Sequence, residues 1–225
     1  MGPYTSIVKM NAFRTTCSRL SRNTFIPFCV HRDALEEKTS KDSHPRIWVD
    51  CEMTGLNSET DQILEIFCII TNSQLETLDD AGWGCVVHHP QSTLSAMGEW
   101  CTNMHASTGL TAKVLSSTTT PEDAAAGLLE YIQRYVPEKG QGLLAGNSVH
   151  ADKAFLSKGP YNAVLEHLHY RIVDVSSIYE CVIAWCGLDV LMGIPSKKKR
   201  HTAKEDILES IAEARYYKDA IFARK

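Results

Sequence analysis

The chain contains no apolar run approaching the roughly 20 residues that a membrane-spanning helix needs, so a soluble protein is expected. None of its eight cysteines forms a C-x-x-C pair, and Cys181 and Cys186 fall in a segment that reads as an amphipathic helix. Buried, reduced thiols are therefore expected. There is no internal repeat and no low-complexity tract. Acidic residues are missing altogether from positions 1–32, which carry Lys9, Arg14, Arg19, Arg22 and Arg32 among many Ser and Thr. That is the composition of a transit peptide, and the long apolar core of a secretory signal is absent. Residues 1–40 are accordingly expected to be a mitochondrial transit peptide or disordered leader, and 41–225 the folded domain. The expected location is the mitochondrial matrix, with a further cytoplasmic pool.

Basic charge is scarce in the remainder. The formal net charge is −4, from 23 basic and 27 acidic residues. Without the five leader cations, 18 basic residues face 27 acidic ones, a body of about −9. Neutralising a long polyanion takes many Lys and Arg, so broad binding of duplex nucleic acid is excluded, while a small, cation-assisted phosphate site is not. A length of 225 residues, 44% apolar and 22% charged, fits one compact domain with a short extension.

What is present is an alternation of strand-like and helix-like segments. Residues 46–51, 62–71 and 83–89 read as strands of a β-meander, the second apolar enough to be buried on both faces. Residues 121–136 open with Pro-Glu-Asp, suited to a first helical turn, and carry apolar residues at helical spacing. A short strand at 143–147 leads into a helix at 150–158. A strand at 170–175, a helix at 176–185, a basic loop at 195–200 and a closing helix at 202–222 complete an α/β domain with helices on both faces of one mixed sheet.

The most informative stretch is Arg46-Ile47-Trp48-Val49-Asp50-Cys51-Glu52-Met53-Thr54-Gly55-Leu56. Side chains at i and i+2 of a strand share a face, so Asp50 and Glu52 project together. Two like charges there repel unless something positive lies between them, and oxygen-only donors suit Mg²⁺ or Mn²⁺ rather than zinc. Further chemistry lies in Gly146-Asn147-Ser148-Val149-His150-Ala151-Asp152, where Asp152 in a first helical turn points back to the strand end. His201 and Asp206, five residues apart, would lie about 140° apart on a helix, so His201 is placed in the preceding loop. Asp206 flanks the apolar stripe of Ile207, Leu208 and Ile211, where a charge requires a partner. The run Lys197-Lys198-Lys199-Arg200 could be read as a nuclear address; a phosphate-facing or solvated loop is preferred.

Asp50, Glu52, Asp152, His201 and Asp206, in that order, resemble the DEDDh family of 3′-to-5′ exonucleases and, within it, the oligoribonuclease group. The likeness covers about 46–224 and includes 48–56, 144–150, His169-Tyr170-Arg171 with Asp174-Val175-Ser176, and 201–211. Cys51, Thr202 and Lys204 depart from the pattern and touch no expected ligand. The resemblance implies a ribonuclease H-like sheet and two divalent ions held by Asp50, Glu52, Asp152 and Asp206. It implies hydrolysis of short single-stranded RNA, down to dinucleotides, to nucleoside 5′-monophosphates. His201 is the expected general base, its ordinary pKa of about 6.5 suiting proton uptake near neutrality. Leu56 would wedge against a base, Trp100 would stack, Ser148 and His150 would meet phosphate oxygens, and Tyr170 would serve a neighbouring protomer of a homodimer. A DNA-proofreading or tRNA-trimming relative, or a non-catalytic RNA-binding dimer, are the competing readings; the acidic body opposes the former and four clustered acids the latter.

Overall fold

The computed structural model describes residues 44–197 and 202–223. The expected leader, residues 198–200 and His201 lie outside the described residues. Strands β1 (Arg46–Met53), β2 (Ile63–Thr71), β3 (Trp83–Val86), β4 (Leu143–Gly146) and β5 (Ile172–Asp174) form one mixed sheet in the order β3-β2-β1-β4-β5. The first three make an antiparallel meander, and β4 and β5 join parallel to β1. β3 is shorter than its expected span, because the chain leaves the sheet after Val86.

The alternation along β1 decides which side of the sheet carries what. Ile47, Val49 and Cys51 point to one face and pack with Leu128 and Ile132 of helix α4 (Pro121–Tyr135). Trp48 points to the other, against Val175 and Val182 of α7 (Val175–Trp185) and Ile207, Ile211 and Tyr217 of α9 (Ala203–Tyr217). Each such side chain taken fully out of water contributes about 1.5–3 kcal/mol, so both helical layers are anchored to the central strand. α4 begins as expected, with Pro121 in its first turn and a reciprocal cap: Thr120 Oγ1 accepts from the Asp123 N–H at 3.1 Å, and Asp123 Oδ2 accepts from the Thr120 N–H at 3.4 Å. α9 ends at Tyr217; Lys218–Phe222 continue as a wider π-helical turn.

Three short helices were not expected: α1 (Gln91–Ser95), α2 (Glu99–Ser107) and α3 (Leu110–Ser116). Only Leu94, His105, Leu110 and Val114 of these are buried, too few for a helical stripe to stand out. Helices α5 (His150–Leu156), α6 (Asn162–His167) and α8 (Leu188–Leu191) complete the layers. The expectation for the cysteines needs correction. Six described cysteines are free thiols, but only Cys51 and Cys68 are buried, while Cys85, Cys101, Cys181 and Cys186 are half-exposed. α7 buries only Val175 and Val182, which leaves Cys181 off its inner stripe, and Cys186 caps the helix rather than lying within it. Among the described residues no helix is long and apolar enough to cross a membrane.

Candidate active site

Asp50 and Glu52 continue the face that Trp48 begins, at the end of β1 where the apolar cover stops. α9 crosses there with Asp206 in its first turn. Carboxylate oxygens of Asp50, Glu52 and Asp206 lie within 4.8 Å of one another. The fourth expected acid arrives from the other side. β4 parts from β1 after Trp48 and Ala145, and the chain turns through Gly146, whose Cβ, if it had one, would stand 3.0 Å from the Val49 carbonyl. α5 then starts against the fork, and its buried Asp152 accepts the Cys51 N–H at 2.9 Å. Asp152 therefore borders the acid triple with one oxygen committed to the backbone. The open end of two parallel strands is where α/β sheets take ligands.

The electrostatics of this group are those of a cation site. Burial, then the charges of Asp152, Glu52, Asp206 and Glu65, push the Asp50 carboxyl well above its usual range. Burial and the neighbours Asp206, Glu65 and Asp152 raise Glu52 to about 7. Asp152 is likewise raised to about 7 by burial, although the bonds from Cys51 and the charge of His150 work against the rise. Glu65 stands directly across the β1–β2 ladder from Glu52 and was not anticipated. Neither was His105, buried on α2, whose Nε2 lies 2.9 Å from the Met53 carbonyl and whose Nδ1 lies 4.0 Å from Glu52. Hard oxygen donors that cannot all ionise without a positive charge among them fit a hard divalent cation.

A cleft of about 630 Å³ opens over the acids, lined by Asp50, Trp100, Asn147, Ser148, Lys197, Asp206, Glu209 and Ser210. Trp100 and Ser148 are thus brought to the site; Leu56, His150 and Tyr170 do not line it. Leu56 stands 87% exposed on the β1–β2 turn. Asp61, which sequence reasoning missed, ties that turn by accepting Thr54 Oγ1 at 2.8 Å and the Asn57 N–H at 2.9 Å. Ser148 adopts a left-handed φ of 52°, and its N–H donates to Asp174 at 3.0 Å while its hydroxyl bonds Ser176 at 3.3 Å. His150 Nδ1 is 3.4 Å from Asp174. Burial alone would raise Asp174, but the bonds from Ser176, His150 and Ser148 hold it below the usual carboxylate range. Tyr170, 72% exposed, stacks on His169 with ring centroids 4.5 Å apart.

Residues 47–214 match the family described as exonuclease, RNase T. The mitochondrial oligoribonuclease of Saccharomyces cerevisiae is 44% identical over 92% of this chain and 78% of its own length. The chain belongs to the oligoribonuclease family of exonucleases. The oligoribonuclease of Vibrio campbellii is 44% identical over 78% of this chain and 94% of its own. The human mitochondrial oligoribonuclease is 41% identical over 80% and 74% respectively. Among solved structures, an Escherichia coli exonuclease I–single-stranded DNA complex superimposes with a TM-score of 0.58 at 11% identity, covering 80% of this chain and 42% of that one. At that identity the likeness shows the ribonuclease H-like fold and no more.

Proposed function

We propose that this oligoribonuclease-family member removes nucleotides 3′-to-5′ from short RNAs, down to dinucleotides, releasing nucleoside 5′-monophosphates. The observation that carries the reading is the gathering of Asp50, Glu52 and Asp206 within 4.8 Å, with Asp50 and Asp206 lining an open cleft and Asp152 beside the group. These four carboxylates would hold two divalent ions, Mg²⁺ or Mn²⁺, which when bound supply charge stabilisation at both the attacking and the leaving oxygen of a phosphodiester. His201, five residues before Asp206, takes the proton of the attacking water. Trp100 at the cleft wall offers a base a stacking surface, worth roughly 1–3 kcal/mol and indifferent to sequence. Leu56, held out by the Asp61-tied turn, wedges beside the terminal base. Ser148 and His150, steadied by Asp174, meet phosphate oxygens.

Tyr170 lies outside the cleft of its own chain and serves that of a partner, which makes a homodimer the working unit. Apolar side chains left in solvent near one another in sequence, Trp185 at 80%, Leu188 at 76% and Met192 at 86% exposed, support a covered surface there. A mitochondrial location is supported by the acid-free, basic stretch 1–32 and by the yeast relative, whose alignment over 92% of this chain extends into residues 1–40. The deciding experiment incubates the purified protein with end-labelled RNAs of two to twenty nucleotides, with and without Mg²⁺. Stepwise loss from the 3′ end, dependent on the ion, is expected; internal cuts or ion-independent cleavage would reject the reading.

A further inference from the structure

Two cavities share two side chains that are both bonded to one buried carboxylate. The cleft over the acids and a second cavity of about 360 Å³, lined by Ser176, Tyr179 and Ile194 among others, share Asn147 and Lys197 as common wall. Glu213, which lines the smaller cavity, is 2% exposed and takes three donors from three segments. Tyr217 Oη donates to it at 2.7 Å, Asn147 Nδ2 at 3.2 Å and Lys197 Nζ at 2.8 Å. A carboxylate taken out of water needs such partners, and each partner is fixed in return. Lys197 is fixed where its own side chain remains 38% exposed, at the junction of the two cavities. An ammonium has three donors, and Glu213 engages it from one side.

Lys197 is, among the described residues lining the larger cleft, the only cation; Asp50, Asp206 and Glu209 line the same space. We propose that Lys197 is a substrate-binding residue that receives a backbone phosphate of the RNA next to the scissile one, with Glu213 holding its ammonium at the wall. This rests on the exonuclease reading given above and names a contact within it. The acids attract cations to the reacting phosphate but repel the next one, which therefore needs a positive charge of its own. In a body of about −9 few cations can provide it.

The test is equilibrium binding of a 5′-labelled RNA tetranucleotide to the full chain in Ca²⁺, across a series of KCl concentrations, with kcat and KM in Mg²⁺ measured alongside. Lys197→Gln, with circular dichroism unchanged, should weaken binding by roughly tenfold at low salt and flatten the plot of log Kd against log salt by about 0.7, the increment for one phosphate of a single strand. KM should rise by more than kcat falls, and Lys197→Arg should restore the slope. An unchanged slope in Lys197→Gln overturns the proposal. A protein that binds the RNA without hydrolysing it removes the exonuclease reading while the slope still decides Lys197; one that binds no RNA removes both.

Discussion

Replacing Asp50 by Asn should stabilise the metal-free protein and abolish its activity, and the size of the stabilisation follows from the site. Two unit charges about 4.8 Å apart, the outer limit among these oxygens, repel by roughly 3 kcal/mol at an effective dielectric of about 20. Burial is the larger cause of the rise of Glu52 from 4.5 to about 7, and the charges of Asp206, Glu65 and Asp152 add to it, so repulsion among the acids is only part of that rise. Because the acids share protons near neutrality, only part of this repulsion is realised, on the order of 1–2 kcal/mol. For a domain of this size that is a rise in Tm of about 2–8 °C. The sign with pH is fixed. A carboxyl whose folded pKa is raised costs nothing below its unfolded value, near 4; above that the cost grows and levels off past the folded value. The advantage of Asp50→Asn in EDTA should therefore be negligible at pH 4 and largest at pH 8. In saturating Mg²⁺ it should reverse, since the wild type then gains a ligand that the variant holds less well. Thermal melts at four pH values, with EDTA or Mg²⁺, measure this. An advantage that is absent in EDTA at pH 8, or equal in both buffers, would refute the account of the acids as a cation site.

His201→Ala should lower turnover by roughly 10²–10⁴-fold with little change in metal affinity; metal titration that weakens in step with activity would make His201 a ligand instead. Residues 1–40 fused to a fluorescent reporter should direct it to mitochondria, and diffuse fluorescence would reduce that segment to a tail. Because affinity must come from the first few nucleotides, kcat/KM should be higher for dinucleotides than for a twenty-nucleotide strand, with Tyr170→Ala narrowing the gap; a rate that climbs steadily with length would reject a closed pocket. Asp61→Ala should cost about 1–3 kcal/mol of stability by leaving the buried Thr54 hydroxyl without its acceptor, and should raise KM by freeing the turn that carries Leu56.

The parts of the site that lie on one strand or one helix turn could be read without the structure. Period-two alternation places Asp50 and Glu52 on the face opposite Ile47 and Val49, and the Pro-Glu-Asp start marks α4. The strand-to-helix passage through Gly146 brings Asp152 back toward β1, as its position suggests, although its bond to Cys51 is a property of the fork between strands. His105 and Glu65 escaped because nothing local distinguishes them: one is a lone histidine on a helix with little apolar stripe, the other a glutamate in an apolar strand. Their meaning comes from Glu52, thirteen residues away across a ladder or more than fifty along the chain. Glu213 escaped for the same reason, its three donors coming from three segments.

The fork between β1 and β4 has a practical consequence for anyone seeking an inert protein for substrate trapping. Once β4 departs, the Cys51 amide has Asp152 where a strand neighbour would otherwise stand. Asp152 thus belongs to the sheet as well as to the acid site. Changing it to Ala would strip a buried amide of its acceptor at the centre of the domain, and the resulting loss of activity would mix chemistry with local unravelling. Asp50→Asn, which leaves that amide bonded, is the cleaner instrument, and slow hydrogen exchange at Cys51 would certify that a trapped complex still has its native frame.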